Sequence, residues 1–495
     1  MAFGQIGGTR REFVLACASA LASSCARQPA EAGSSVRARS SGSPHMPHVA
    51  VVGAGLSGLA IGYALVNLGY DVRVLEATQR AGGRILTIRS PFIDGQYVEA
   101  GASHVLNDPA LLELCRAMNL ELEQWAPQRG LSRITLLGTE RSASPPNTSR
   151  TSRDLLSPEE EQLGAQGRMR KYFAEAELFD PTAPLPESLR HLDELSGAAL
   201  LRQRGASPGF VSSMDGMLGV GDAGLEGMSA LFMLQEWSSI LRETKLGGNG
   251  RIVGGCDRLP TAIARKLGDR IWYGCEVRSV RQQGQAVQLS FQRAGSAQTL
   301  TADHVVFAIP PPLMRKVAIS PALPADKARA INETALENVT RLWAQTKRRF
   351  WIERGESGRV DTDSVLGPVR DESEGMRGAS GLLGLYVKRA EARRLAALGE
   401  EERARAALNF LELAQPGLKR QLVTTASACW SSAPFQQGAY AYFKVGQAAS
   451  FGPLLARPEG RLHFAGDHAS HRPGFMHGAL AAAQRVVEEV VGFRA

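Results

Sequence analysis

The pattern of apolar and polar positions from residue 48 to residue 77 predicts a strand, a helix and a second strand. The stretch "HVAVVGAGLSGLAIGYALVNLGYDVRVLEA" begins with a short β-branched run and turns through Gly53, Gly55 and Gly58. It keeps a helical apolar spacing over residues 59–68 and returns as the strand "DVRVLE". The pattern predicts one βαβ unit.

Two later regions repeat such patterns. The middle region, "GRIVGGCDRLPTAIARKLG", predicts a glycine turn and a helix from about Leu259, followed by two alternating strands and the strand and proline turn of "HVVFAIPPPLM". The last region predicts a buried strand in "RLHFAGD" and a helix in "GFMHGALAAAQRVVEEVV". Because 495 residues exceed what one hydrophobic core serves, we expect two domains.

The remaining segments have a different character. They contain helical stretches such as "GMSALFMLQEWSSILRE" and the strand pattern "GLLGLYVKR", which predict helices with an antiparallel sheet. The run "RSASPPNTSRTSR" predicts an exposed loop. The expected fold class is α/β, and α+β overall, with a substrate domain inserted into a discontinuous nucleotide-binding domain. The expected substrate domain is 121–245 and 331–427, and the expected nucleotide-binding domain is 47–120, 246–330 and 428–495.

Glycines in the first βαβ unit predict a phosphate-binding turn. Gly53 permits a tight turn through Ala54, Gly55 lets the backbone approach a pyrophosphate, and Gly58 lets helix and strand pack closely. Glu76 ends the second strand, where a carboxylate accepts the hydroxyls of an adenosine ribose. These residues together predict a bound dinucleotide.

A second glycine-rich turn follows directly. The stretch "EATQRAGGRILT" supplies Arg80, Gly82, Gly83 and Arg84, and we expect it to border the same pyrophosphate with cationic side chains. A nicotinamide dehydrogenase has no general need of this second turn.

The N-terminus resembles an export signal. In "TRREFVLACASALASSC", Arg10 and Arg11 precede a short apolar run, as in a twin-arginine signal, and residues up to 46 have a tether-like composition. We therefore expect a periplasmic or secreted protein, with a disordered tail of a cytosolic protein as the alternative. Cys25, if lipidated, would anchor the chain to a membrane, although "ASSC" matches the lipoprotein pattern poorly.

Charge and cysteine usage exclude other classes. The net charge of +8 comes without a basic run interleaved with aromatics, so no nucleic-acid partner is expected. Cysteines at 115, 256, 275 and 429 lack metal spacing and are expected to be buried thiols. His468 and His471 lie in an irregular loop without a nearby cysteine, so no metal site is expected.

From about residue 47 to its end, the chain resembles the flavin amine oxidases, which include monoamine, polyamine and L-amino-acid oxidases. The resemblance rests on "GAGLSG", Glu76 and "RAGGR", a combination that carotenoid desaturases and protoporphyrinogen oxidases share. It implies FAD, bound by a Rossmann-like domain of the GR2 (glutathione-reductase-like) type. It also implies that Val277 touches the adenine.

The last helix has an implied role at the flavin. By resemblance, its N-terminus lies against the pyrimidine edge, Met476 offers its backbone N–H, and Asp467, after Gly466, contacts the ribityl chain. Monoamine oxidases carry a flavin-bonding Cys where this chain has Ala439, so the FAD should be non-covalent.

The substrate side is also implied by resemblance. Tyr440 and Phe475 match two aromatic walls of the pocket, with ordinary core packing as the alternative for either ring. The family's flavin-facing Lys falls on Arg341, and Lys347 could replace it only after a register slip. Arg341 would hold a water, favour the reaction with O₂, or bind a substrate carboxylate.

L-amino-acid oxidases commonly carry a carboxylate-gripping Arg where this chain has Ser103 and His104. His104 could line the pocket or be structural. We therefore expect an oxidase of primary or secondary amines that uses O₂ and releases H₂O₂. A homodimer is one possible state of the protein. The alternatives are an L-amino-acid oxidase, then an FAD-dependent desaturase or dehydrogenase, then a nucleotide-binding protein without turnover.

Overall fold

The structure, a computed structural model, describes residues 47–105, 108–124, 131–135, 156–179, 185–245, 250–362, 364–470 and 474–493. The twin-arginine-like segment, Cys25, the run at 141–153 and His471 lie outside these residues.

The described strands are numbered in chain order. They are β1 His48–Val52, β2 Asp71–Glu76, β3 Thr87–Ile88, β4 Val98–Glu99, β5 Leu122–Gln124, β6 Leu131–Thr135, β7 Gly250–Ile252, β8 Ile271–Tyr273, β9 Glu276–Gln283, β10 Ala286–Arg293, β11 Ser296–Ala302, β12 His304–Phe307, β13 Ala318–Ser320, β14 Ala335–Leu336, β15 Val339–Thr346, β16 Glu356–Thr362, β17 Val369–Asp371, β18 Gly381–Lys388, β19 Leu422–Cys429, β20 Ala441–Tyr442 and β21 Leu462–Phe464.

The α-helices are numbered likewise, and short 3₁₀ turns lie between them. They are α1 Leu56–Asn67, α2 Pro109–Ala117, α3 Pro158–Tyr172, α4 Gly197–Gln203, α5 Pro208–Leu218, α6 Ala230–Lys245, α7 Arg258–Leu267, α8 Pro311–Met314, α9 Ala325–Glu333, α10 Arg389–Ala397, α11 Glu400–Ala414, α12 Leu418–Gln421, α13 Ala448–Ala456 and α14 Phe475–Gly492.

A five-stranded parallel sheet forms the nucleotide-binding part, in the order β21–β12–β1–β2–β8. The predicted βαβ unit is confirmed as β1, α1 and β2. Helix α1 begins at Leu56, earlier than its apolar spacing indicated, because Gly55 in extended conformation serves as the N-cap. Helices α1, α7 and α14 pack with this sheet in one apolar core.

Strands after α7 are more numerous than the two that the alternation predicted. The antiparallel strands β9, β10 and β11 form one sheet, and β13 adds to it parallel to β9. This sheet follows β8 directly, so it lies next to the end of β2.

A six-stranded sheet, in the order β19–β15–β18–β17–β16–β6, lies in the predicted substrate-domain segments. Its pairs are antiparallel except β16–β6, which is parallel. Strand β19 ends at Cys429, just past the expected boundary at 428. One face of the sheet packs on α10 and α11, and Val339, Trp343 and Leu382 on the other face pack on the β3–β4 hairpin. This second contact brings the sheet to the nucleotide-binding part.

Within the part of the chain that the structure describes, no helix has the length and apolar character needed to cross a membrane. Cys115, Cys256 and Cys275 are free, buried thiols, as expected, and Cys429 is free and half-buried.

Glu99 in β4 ties the β3–β4 hairpin to the turn before α7. Its carboxylate accepts hydrogen bonds of 2.8 Å from the Thr87 hydroxyl and of 2.8 Å from the Cys256 backbone N–H. Burial raises the pKa of Glu99 to about 7, although these bonds oppose the shift. Since the folded protein then holds the proton to a higher pH than the unfolded chain, stability falls as pH rises from about 4.5 to about 7.

We expect Glu99→Gln to remove this part of the pH dependence. The amide oxygen can accept from Cys256 and the amide nitrogen can donate to Thr87. In the wild type, the free energy of unfolding that this group contributes and that is lost between pH 4.5 and 7 is at most about 3 kcal/mol. Unfolding midpoints by calorimetry at pH 5 and pH 7.5 measure it, with the exposed Glu402→Gln as control. An unchanged difference between the two pH values in Glu99→Gln would contradict the assignment.

Candidate active site

The glycine turn after β1 is held closed by backbone packing. Gly53 has a φ of +102°, and a Cβ on Gly58 would lie 2.1 Å from the Gly53 carbonyl oxygen. No side chain fits at Gly58 without moving the turn away from α1. The predicted packing role of Gly58 is therefore visible in the geometry.

Gly55 is different, because nothing in the protein requires a glycine there. Its φ is −69°, which any residue adopts, and no atom lies within 4 Å of a Cβ built on it. Helix α1 begins at the next residue with no side-chain hydrogen bond at its N-cap. The open space at an uncapped helix N-terminus fits a phosphate group of a bound nucleotide.

The second glycine turn lies against the first. Gly82 donates its N–H to the Ala54 carbonyl at 2.8 Å, and a Cβ on Gly83 would lie 3.2 Å from the Gly55 Cα. The two turns thus form one surface, as the sequence predicted.

Arg80 donates hydrogen bonds within its own turn, and its place beside a pyrophosphate stays a prediction. Its guanidinium donates to the main-chain carbonyls of Ala81, Gly83 and Ile85 at 3.3, 2.5 and 3.1 Å. Burial lowers the pKa of Arg80, with the charge of Glu76 opposing the shift. Arg80 therefore shapes the turn from inside, because three carbonyls of its own segment take its donors.

Glu76 lies buried at the end of β2, where it was predicted. One carboxylate oxygen accepts from the Ala54 N–H at 2.8 Å, and the other accepts from the Thr78 N–H and hydroxyl at 2.8 and 2.7 Å. Glu76 thus also fixes the first turn to β2. Val277 is buried near the end of β2. It lies two residues after Cys275, whose N–H donates to the Glu76 carbonyl.

Arg84 contacts residues near the C-terminal end of the sequence. It donates to both carboxylate oxygens of Asp467 and, at 2.8 Å, to the Ala439 carbonyl. Burial opposes ionisation of Asp467, but the charge of Arg84 and the neighbouring His468 outweigh it and hold the pKa of that carboxyl below its usual range. Gly466, with a φ of +130°, makes the turn into Asp467.

Helix α14 starts beside helix α1. The Ser57 hydroxyl in the first turn of α1 donates to the Ala479 carbonyl at 2.8 Å, and α14 begins at Phe475 without a side-chain cap hydrogen bond. Met476 is buried in this first turn. Two uncapped helix N-termini with adjacent first turns suit an electron-rich group between them.

Arg341 lies in β15 on the face turned toward the β3–β4 hairpin. Its side chain is only 6% exposed, and its guanidinium lies 5.1 Å from the Trp343 ring centre and 5.3 Å from that of Tyr386. One nitrogen bonds the Glu372 carboxylate at 2.5 Å. Lys347 is exposed beyond the end of this strand, whereas Arg341 is buried within it.

Tyr386 and His104 interact with Arg341, and Tyr440 is connected to it through Tyr386. Tyr386 and Tyr440 share a side-chain hydrogen bond, and burial raises the pKa of Tyr386 to about 12 and that of Tyr440 well above its ordinary value. His104 is bonded to the Ser103 hydroxyl at 2.7 Å. Burial, helped by the charge of Arg341, lowers the pKa of His104 to about 4. Both phenols and the imidazole are therefore uncharged at neutral pH.

Of the two aromatic residues predicted to form walls of the pocket, Phe475 is the more exposed. Its ring is 41% exposed and stacks on His477 at 5.4 Å, and its φ is +56°, which is strained for an aromatic residue. Glu236 in α6 lies beside Gly474 and also acts electrostatically on Tyr440. The start of α14 and Tyr440 thus face the same carboxylate.

Sequence reasoning missed Tyr386, Glu372 and Glu236. The alternation of "GLLGLYVKR" places Tyr386 on the face of Gly384, and pairing with β15 would have put it opposite Arg341. That pairing is not visible in the sequence. No pattern indicated either glutamate.

We expect Gly55→Ala and Gly58→Ala to separate cofactor binding from folding. Gly55→Ala should leave the unfolding midpoint of the apoprotein within about 2 °C while weakening FAD binding at least about tenfold, because only the bound phosphate competes for that space. Gly58→Ala should lower the apoprotein midpoint itself. Calorimetry and FAD titration measure both. Unchanged FAD affinity in Gly55→Ala would show that no phosphate lies there.

Comparison with known proteins identifies the family of this chain. Residues 56–491 match the family model described as flavin containing amine oxidoreductase. YobN of Bacillus subtilis (strain 168), provisionally named an L-amino-acid oxidase, is 30% identical over 91% of this chain and 96% of its own length. The L-amino-acid oxidase of Protobothrops flavoviridis is 24% identical over 90% of this chain and 88% of its own.

Solved structures show the same fold. A putrescine oxidase bound to putrescine is 25% identical, with a TM-score of 0.74, over 90% of this chain and 99% of its own. Cyclohexylamine oxidase of Brevibacterium oxydans, at 22% identity, has a TM-score of 0.73 over 90% and 100%. The predicted fold class, a Rossmann-like domain with a substrate domain, and the predicted flavin cofactor are confirmed. This chain belongs to the flavin-containing amine oxidoreductase family and is a flavin-dependent oxidoreductase.

Proposed function

We propose that this protein is an oxidase of primary or secondary amines that lack an α-carboxylate, with non-covalent FAD as its cofactor and O₂ as its electron acceptor. The observation that carries the proposal is the ion pair between Arg341 and Glu372. The cation best placed to grip a substrate carboxylate is already bound to a carboxylate of the protein.

The residues around the two turns fit FAD. The open space at Gly55 and the start of α1 suit the pyrophosphate, and Glu76 suits the adenosine ribose. The start of α14 suits the electron-rich edge of the flavin ring. FAD bound there would supply the acceptor for the hydride equivalent of the substrate C–H bond and the route of its electrons to O₂.

The uncharged groups of the pocket favour the neutral form of the amine, while the nearby carboxylate of Glu236 favours its protonated form. Tyr386, Tyr440 and His104 are buried and uncharged, so they exclude water and add no charge. A neutral amine keeps the nitrogen lone pair that C–H cleavage requires. The overall reaction is R–CH₂–NH₂ + O₂ giving R–CH=NH + H₂O₂, after which the imine and water give aldehyde and ammonia.

Arg341 has a supporting role in this proposal. Its guanidinium cannot act as a base, and aromatic rings and Glu372 fix its orientation. It can hold a water and stabilise negative charge that develops when O₂ is reduced.

An L-amino-acid oxidase is the second candidate. It is favoured by the names of the relatives and by one structural fact, since the buried Nε of Arg341 has no hydrogen-bond acceptor among the described residues. A substrate carboxylate could take that donor.

Export remains part of the proposal. The twin-arginine-like segment at 10–25 supports transport of a protein already folded around its cofactor, to the periplasm or medium.

A peroxide assay with paired substrates tests the function. We expect the FAD-loaded protein to release H₂O₂ from tryptamine, cadaverine or phenethylamine at least about tenfold faster than from tryptophan, lysine or phenylalanine, because Arg341 is not free for the carboxylate. Peroxide from the amino acids alone would establish the second candidate. Turnover by neither set, with FAD bound, would refute both oxidases.

Acid denaturation tests the attachment of FAD. Because Ala439 cannot form a thioether, we expect precipitation with trichloroacetic acid to leave all of the yellow colour in the supernatant. Absorbance of pellet and supernatant at 450 nm provides the measurement. Flavin retained in the pellet would mean that another residue bonds it.

A further inference from the structure

Glu372 reaches Arg341 across an intervening strand. It follows β17, and its backbone N–H bonds the Leu382 carbonyl of β18 at 2.8 Å. Arg341 lies in β15, on the far side of β18. Two strand spacings amount to about 10 Å, which the two long side chains span over the face of the sheet.

A glycine in β18 makes this crossing possible. Gly384 pairs with Trp343 on one side and with Arg370 on the other, so all three residues share one face. A Cβ on Gly384 would lie 2.7 Å from the Glu372 carboxylate and 3.0 Å from the Trp343 ring. The Glu372 side chain fills the space that any larger residue would occupy.

Glu372 also lies between two positive charges. Besides its bond to Arg341, it acts electrostatically on Arg370, whose pKa is lowered by burial and by the charge of Arg359. Asp361 lies 3.5 Å from Arg370 and is its nearest ion-pair partner among the described residues. Without Glu372, this face of the sheet would carry an uncompensated, largely buried positive charge.

The pair is connected to the cofactor end of the pocket. The Arg341 guanidinium lies against Tyr386, which bonds Tyr440. Tyr440 follows Ala439, whose carbonyl accepts from Arg84. A substrate group held at Arg341 would therefore be one aromatic ring away from Tyr440.

We propose that Glu372 is a specificity-determining residue, seated in the notch at Gly384, which occupies Arg341 in place of a substrate carboxylate and so excludes amino acids from the pocket. The inference rests on the proposed function and deepens it. Replacing Glu372 by a neutral residue of the same shape leaves Arg341 in place and frees its charge for a carboxylate ligand.

Glu372→Gln in the FAD-loaded protein tests the proposal by two measurements. We expect the ratio of kcat/KM for phenylalanine to that for phenethylamine to rise at least about tenfold. We also expect benzoate, a carboxylate that is not turned over, to bind about tenfold more tightly, as measured by its perturbation of the flavin absorbance spectrum. Adding Arg341→Met to Glu372→Gln should reverse both gains.

The matched control is Glu226→Gln. It removes the same charge from an exposed pair with Arg202, and both measurements should stay within about twofold of wild type. If Glu372→Gln loses FAD or does not fold, Glu372→Asp, whose carboxylate is one methylene shorter, should shift both measurements in the same direction by a smaller factor.

The outcomes separate this inference from the proposed function. If the wild-type protein turns over neither amines nor amino acids, the proposed function fails, while the benzoate titration still tests Glu372 without any turnover. Wild-type turnover of amino acids would refute the proposed function and this inference together. A folded, FAD-bound Glu372→Gln whose benzoate affinity equals that of wild type would overturn the inference. Tighter benzoate binding that persists after Arg341→Met is added would overturn it as well.

Discussion

The guanidinium of Arg84 connects three segments that are far apart in the chain. It binds Asp467, 383 residues away, and the Ala439 carbonyl, 355 residues away. Asp467 is buried, and a buried carboxylate without a positive partner would be protonated or would destabilise the fold. The second glycine turn, the loop before α14 and the backbone next to Tyr440 therefore keep their relative positions. Cofactor cradle and substrate pocket share this one ion pair.

Other buried charges are compensated by backbone N–H groups or by an ion pair. Glu337 accepts from the backbone N–H groups of Gly221, Asn338 and Arg389, and Arg341 is paired with Glu372. Around the aromatic pair, burial holds both phenols protonated and His104 deprotonated, while the carboxylates of Glu236 and Glu337 act electrostatically on both phenols. A substrate carboxylate would meet like charges there, and Arg341 is already paired.

Predictions succeeded where the chemistry is local. The positive φ at Gly53, the close packing at Gly58 and the end of β2 at Glu76 follow from residues within thirty positions of one another. For Arg80 the sequence predicted a positive charge at the turn, but not which carbonyls its side chain would bond. For Phe475 the sequence predicted the position, while its exposure depends on how the loop before α14 turns.

By itself, the sequence determined the βαβ unit, the two glycine turns, the start of the last helix and the family. Periodicity and glycine spacing act through neighbouring residues and are legible in one dimension. Only the tertiary structure decided that Tyr386 lies opposite Arg341, that Glu372 crosses β18 at Gly384, and that Arg84 meets Asp467. These contacts depend on strand register and on segments that are distant in sequence, and no local pattern specifies either. The charge of the pocket, and with it the choice between amine and amino acid, is for that reason a property of the folded chain.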